Sequence, residues 1–165
     1  MEHQQGFTLI ELLIVVALIL IIAAITIPSM TAAKIHANEA SAVGSVRAIN
    51  QAEVSYYSTY GGYAESLGNL GGAQPCVKSA ATSCLLDQSL ANGVKSGYTF
   101  VAVGSDAANG MGTSYVVGAA PVVYDRTGKR LFCSTDKNVI RADLNAGGSA
   151  TPPNVQQCEA FGALQ

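Results

Sequence analysis

Residues 6–28 read GFTLIELLIVVALILIIAAITIP. From position 7 to position 27 this is a run of 21 residues in which Glu11 is the one ionisable group. At about 1.5 Å per residue, a helix of that length spans about 30 Å, the thickness of a bilayer's hydrocarbon core. A cleaved secretory signal would have a shorter apolar core and an Ala-x-Ala-like site, and neither is present. The segment is therefore expected to cross a membrane once. Glu11 sits in the outermost turn of the run. A carboxylate at that depth either snorkels to water or has a charged partner, and the second possibility makes it a functional candidate. Pro28 stands where apolar residues give way to polar ones, a position where proline ends or kinks a helix.

Beyond Pro28, residues 29–60 keep helical character but become amphipathic. Ala42, Val46, Ile49, Glu53, Tyr56 and Tyr60 recur at intervals of four, three, four, three and four, which draws one stripe along a helix. Lys34, Glu39, Arg47 and Gln51 fall on the opposite, solvent-facing side. Gly61-Gly62 supplies a left-handed stop. The expected element is a helix of about 50 residues, half in lipid and half beneath a head.

Residues 61–165 make that head, with seven acidic and seven basic residues and 15 of the 17 glycines. Alternation over residues 98–103 reads as a strand, as do residues 114–118, 122–124 and 131–134. Asp125-Arg126-Thr127-Gly128 is expected as a type I turn between the last two. Connections this short cannot hold helical crossovers, so the sheet should be antiparallel. Residues 145–154 (NAGGSATPPN) read as a loop. The expected fold class is α+β, a long helix packed on a small antiparallel sheet.

Composition narrows function. Hydrophobic residues make up 49% and charged residues 12%, far below the roughly 25% charged of soluble domains. A net charge of −2 excludes bulk affinity for nucleic acid. The +3 balance over residues 125–141 (Arg126, Lys129, Arg130, Lys137, Arg141 against Asp125, Asp136) reads as solvated turns, since no stacking aromatics accompany it. Asp125, Asp136 and Asp143 lack the dense Asp/Asn/Gly loop that Ca²⁺ requires. Tyr56, Tyr57 and Tyr60 are expected to pack on the sheet. His36 has no nucleophile nearby, and no catalytic or phosphate-binding motif occurs, so no enzyme activity and no cofactor are expected. Four cysteines, an even count confined to the head, fit an oxidising compartment.

The residues Gly6-Phe7-Thr8-Leu9-Ile10-Glu11-Leu12, the apolar run and Pro28 together resemble the N-terminus of type IV prepilins and of type II secretion pseudopilins. Counted from Phe7, Glu11 is fifth and Pro28 twenty-second, where that family has them. The resemblance covers roughly residues 6–30. It implies a leader at residues 1–6, cut between Gly6 and Phe7 by a membrane peptidase that then methylates the Phe7 amine. It further implies that Glu11 meets the Phe7 amine of a neighbouring subunit, setting the register of a helical homopolymer. Implied partners are other copies, other pilins or minor pilins, the peptidase/methyltransferase and an inner-membrane assembly platform. The implied location is the bacterial inner membrane with the head in the periplasm, then an extracellular pilus or a periplasmic pseudopilus. A membrane-tethered binding module that is never processed is the alternative of another class.

Four cysteines allow three connectivities. The two sequential pairs, Cys76–Cys84 and Cys133–Cys158, are favoured because neither loop crosses the other. The second would tie the tail to the sheet edge, as the C-terminal staple of such pilins does.

Overall fold

The computed structural model describes residues 7–73, 75–105 and 112–164, and side chains at 27–29 are left aside. The leader, including Gly6, lies outside the described residues. The chain divides into two compact units, Met1–Lys34 and Ile35–Gln165. The second unit thus begins within the long helix, and residues 35–60 fold with the head.

Helix α1 (Leu9–Tyr60) runs for 52 residues and carries on through Pro28, so that proline does not end it. It stops at Gly61, whose φ of +82° suits a residue without Cβ and whose N–H donates to the Tyr57 carbonyl at 2.8 Å. Three short helices follow: α2 (Leu67–Leu70), α3 (Gln88–Ala91) and α4 (Val155–Ala160). Six strands form one antiparallel meander in sequence order: β1 (Val94–Lys95), β2 (Tyr98–Ser105), β3 (Ser114–Pro121), β4 (Leu131–Thr135), β5 (Arg141–Asp143) and β6 (Gly162–Ala163).

The stripe on α1 forms one wall of the core. Ala42, Val46, Ile49, Glu53 and Tyr56 are buried and Tyr60 packs against them. Facing them are Tyr98, Phe100 and Ala102 of β2, Tyr115, Val117 and Ala119 of β3, and Phe132 of β4. Tyr57 departs from expectation. It is about half exposed and stacks on Tyr63, 4.8 Å between ring centres, instead of on the sheet.

The other face of the sheet is covered in part by the tail. Cys133 on β4 is bonded to Cys158 on α4, and Val116, Val155 and Phe161 pack around that bridge. At Gly118 a Cβ would lie 2.6 Å from the Pro153 carbonyl oxygen, so the tail crosses β3 where only glycine leaves room. The expected tie to the sheet edge is corrected here. Cys133 lies on β4, with β5 and the edge strand β6 beyond it, so the bridge fastens α4 to the sheet's outer face, and it is the tail's later residues Gly162–Ala163 that pair at the edge as β6. This explains the burial pattern. All five residues of β4 are buried because both its faces are covered, whereas Val101 and Val103 of β2 remain exposed beyond the tail. The second bridge joins Cys76 to Cys84 in the loop between α2 and α3.

Residues 122–124 are not a strand. The Thr127 hydroxyl bonds both the N–H and the carbonyl of Val123, at 3.0 Å each, taking the groups a strand would offer. The Arg126 and Thr127 N–H groups also turn to the Val123 carbonyl, so the turn forms two residues earlier than Asp125-Gly128, with Asp125 at a φ of +60°.

Two acidic residues of α1 are buried. Glu39, expected on the polar face, accepts from the Lys129 N–H (3.0 Å), the Arg130 N–H (3.3 Å) and the Arg130 Nε (3.0 Å). Arg130 Nη2 lies 2.9 Å from the same carboxylate. This fourfold engagement offsets the cost of desolvating the charge. Glu53 is fully buried. Its Oε2 accepts from the Ala64 N–H at 3.0 Å, and Oε1 has no hydrogen-bond partner among the described residues. Burial pushes its pKa from 4.5 up to about 7, with the Ala64 N–H acting in the opposite direction.

The folded chain therefore retains a proton that the unfolded chain releases between about pH 4.5 and 7. Stability should fall as pH rises through that window and level off above it, by up to about 3 kcal/mol. Glu53→Gln should flatten this slope and leave the variant more stable than the parent at pH 8. Thermal unfolding of detergent-solubilised full-length protein at pH 4.5, 6 and 8 checks this, and a parallel slope in the variant would contradict it.

Candidate functional site

In the first unit, the apolar side chains of the segment starting at Phe7 have no internal partner surface. Phe7 is 86% exposed, and an 18-residue stretch of α1 with mean hydropathy 3.1 is entirely unburied. An exposed apolar surface of this extent marks a site that another phase or another molecule must cover. By length and composition the helix suffices to cross a membrane.

The polar exception is a local arrangement at the helix start. The Thr8 hydroxyl accepts from the Glu11 N–H at 3.3 Å, while Glu11 Oε2 accepts from the Thr8 N–H at 2.9 Å and from the Thr8 hydroxyl at 2.6 Å. This is a capping box. Thr8 is the cap, Glu11 is the third helical residue, and two of the four orphan N–H groups are satisfied reciprocally. Within one chain, then, the Glu11 carboxylate is held by Thr8. The capping bonds go to Oε2, and among the described residues no donor to Oε1 is seen. Sequence reasoning missed Thr8, although Thr-x-x-Glu before an apolar run is the written signature of this box.

The other residues singled out in the sequence are spread over the head. Lys129 pairs with Asp125 at 2.8 Å, Lys137 with Glu159 at 3.1 Å, and Arg141 Nη1 donates to the Phe161 carbonyl at 3.0 Å. The +3 segment is thus largely spent on partners within the head. Asp125, Asp136 and Asp143 do not come together, and no group of three potential metal ligands occurs among the described residues. His36 is exposed, 4.0 Å from Glu39. The stripe placed Glu53 on the packed face of α1, but no sequence signal marked its Ala64 partner or the burial of Glu39, whose partners lie far along the chain.

Residues 1–27 match the family described as the prokaryotic N-terminal methylation motif. The chain is also similar to the type IV wide pilus major component PilA4 of Thermus thermophilus, at 56% identity over 39 residues. That match covers 24% of this chain and 30% of the relative, so the chain spans less than a third of the relative's length. No solved structure matches the chain.

The box separates two roles of Glu11. Glu11→Gln keeps an acceptor for the Thr8 N–H, so the helix start should hold. Glu11→Ala removes it and should fray the first turn. Amide exchange at residues 8–12 in detergent micelles should rise several-fold in Glu11→Ala and stay near the parent's in Glu11→Gln. Equal exchange in all three proteins would remove the box from the solution structure.

Proposed function

We propose that this chain, which carries the prepilin-type N-terminal motif of the type IV pilin family, is a structural subunit that polymerises into a pilus filament. The observation carrying this is the unburied apolar segment of α1 with a single carboxylate, pre-oriented by Thr8, one turn from Phe7. Cleavage after Gly6 makes Phe7 the first residue and creates an amine there, which the processing enzyme methylates. In an apolar surrounding neither the amine nor the Glu11 carboxylate is stable alone. A neighbour's Phe7 amine docking on Glu11 Oε1 fixes the axial register of one subunit on the next. The contact is heterologous and does not close, so it propagates as a helix. Pro28 supplies a point of bending between the segment buried in the filament and the head.

Before assembly the subunit is anchored in the inner membrane with its head in the periplasm, where all four cysteines are paired as an oxidising compartment allows. Its partners are copies of itself, other pilins, the peptidase and an assembly platform. A periplasmic pseudopilus would use the same chemistry. The likeness to a wide pilus component favours the pilus.

Mass spectrometry of sheared extracellular filaments should find a peptide beginning at N-methylated Phe7, and intact Met1 in fibres would refute processing. Glu11→Gln, at matched membrane levels, should abolish filaments. One partner of a buried charge pair left alone costs about 3–5 kcal/mol per added subunit. Wild-type filament yield from this variant would exclude the register role.

A further inference from the structure

One end of the head carries an apolar patch that its core does not use. β3 ends at Pro121, and Val122, Val123 and Tyr124 follow as three consecutive exposed apolar residues. The register pairs Leu131 with Asp143, so Leu144, 78% exposed, leaves the sheet at the same end. The Tyr124 ring packs on Gly148 of the tail, joining the two loops into one surface.

The first of these loops is rigid. Asn38 Nδ2 donates to the Thr127 carbonyl at 2.8 Å, Glu39 holds the Lys129 and Arg130 N–H groups, and the Tyr98 hydroxyl donates to the Arg130 carbonyl at 3.0 Å. A tightly bonded loop presenting three successive apolar residues to water has no folding reason to do so. Arg126 and Lys129 flank the patch on the exposed surface. Counting Arg126, Lys129 and Arg130 against Asp125, Glu39 and Asp143, which pairs with Leu131 beside Leu144, three minus three, the local charge is zero.

We propose that this end of the head is a membrane-docking surface, which rests Val122, Val123, Tyr124 and Leu144 in the phospholipid interface beside the subunit's own anchor before assembly. The inference rests on residues 7–27 being a bilayer segment, as proposed above. The occupant follows from chain connectivity. Asn38 and Glu39, which hold the loop, stand three and four residues after Ile35, where the second unit begins. The anchor's last apolar residue, Ile27, precedes Ile35 by eight residues. Even a fully extended tether of that length reaches no more than about 28 Å. The patch is thus held at high effective concentration over the bilayer surface, so a weak contact suffices. Its chemistry fits that phase. Tyrosine and aliphatic residues suit the headgroup boundary, and the exposed Arg126 suits a phosphate group, while Lys129 is paired with Asp125. With no net local charge, the contact is chiefly apolar and should survive salt.

The chain contains no tryptophan, so a single introduced indole reports its own position. Full-length protein carrying V123W, L144W, V77W or L18W would be reconstituted into phosphatidylcholine/phosphatidylglycerol vesicles with brominated acyl chains. Val77 is an exposed head residue in the Cys76–Cys84 loop, and Leu18 lies in the anchor. L18W should be strongly quenched, which tests the anchor by itself. V123W and L144W should each be quenched at least threefold more than V77W, also in 0.5 M NaCl. Strong quenching of L18W with V123W and L144W no higher than V77W would overturn the docking surface and leave the anchor standing. Absence of quenching in L18W would overturn both. A V123W emission shift that follows protein density but not bromine would assign the patch to a second copy and refute the lipid contact.

Discussion

A helix of 52 residues cannot hold itself in water on propensity alone, and α1 solves this differently in its two parts. Over residues 42–56 the apolar stripe is narrow, and a twisted sheet suffices to cover it. Over residues 7–26 the apolar surface runs all round, and none of the described residues covers it. The second unit thus has its own core, while the apolar side chains of the first remain exposed. That division is what allows one chain to be at once a stable domain and an unfinished surface.

Buried acids fasten the helix to the head at two levels. Glu39 takes the β3–β4 loop by two backbone N–H groups and one guanidinium, so its charge is fully answered. Glu53 takes the chain just after the Gly61 turn by one N–H, and half its carboxylate is left without a donor. The first is a charge-assisted anchor with every contact made. The second makes the exit from α1 sensitive to protonation near neutrality. Between them, Asn50 donates to the Ser134 hydroxyl, and the single proton of the Tyr115 hydroxyl lies between Asn138 Oδ1 at 3.0 Å and Asn50 Oδ1 at 3.3 Å, a polar seam inside an otherwise apolar core. Such a seam tolerates no sliding of the helix along the sheet, because each displaced partner would be left buried and unpaired.

At the other end of α1, Thr8 gives Glu11 a local task that does not compete with an intermolecular one. A carboxylate has two oxygens, and the capping bonds go to Oε2. Holding the side chain in one rotamer before a partner arrives lowers the ordering cost of forming the pair. A local cap is thus compatible with the proposed contact between subunits.

The sequence by itself determined whatever depends on period and length. A 21-residue apolar run, a three-four stripe ending at Gly61-Gly62 and alternation over residues 98–103 are local patterns, and together they made the α+β architecture legible. The capping box was equally legible, since Thr8 and Glu11 are three residues apart. Strands of two or three residues such as β1, β5 and β6 carry too little pattern to read, and residues 122–124 had strand composition until Thr127 took their backbone groups. Only the tertiary structure decided that Glu39 is buried, because its partner Arg130 lies 91 residues away. It also decided that the tail lies on the outer face of β3 and β4, and that Val122 and Leu144 emerge at one end of the sheet. The physical reason is common to all three. Burial and charge pairing depend on what arrives from elsewhere in the chain, whereas helix and strand periods are set by neighbours only a few residues away.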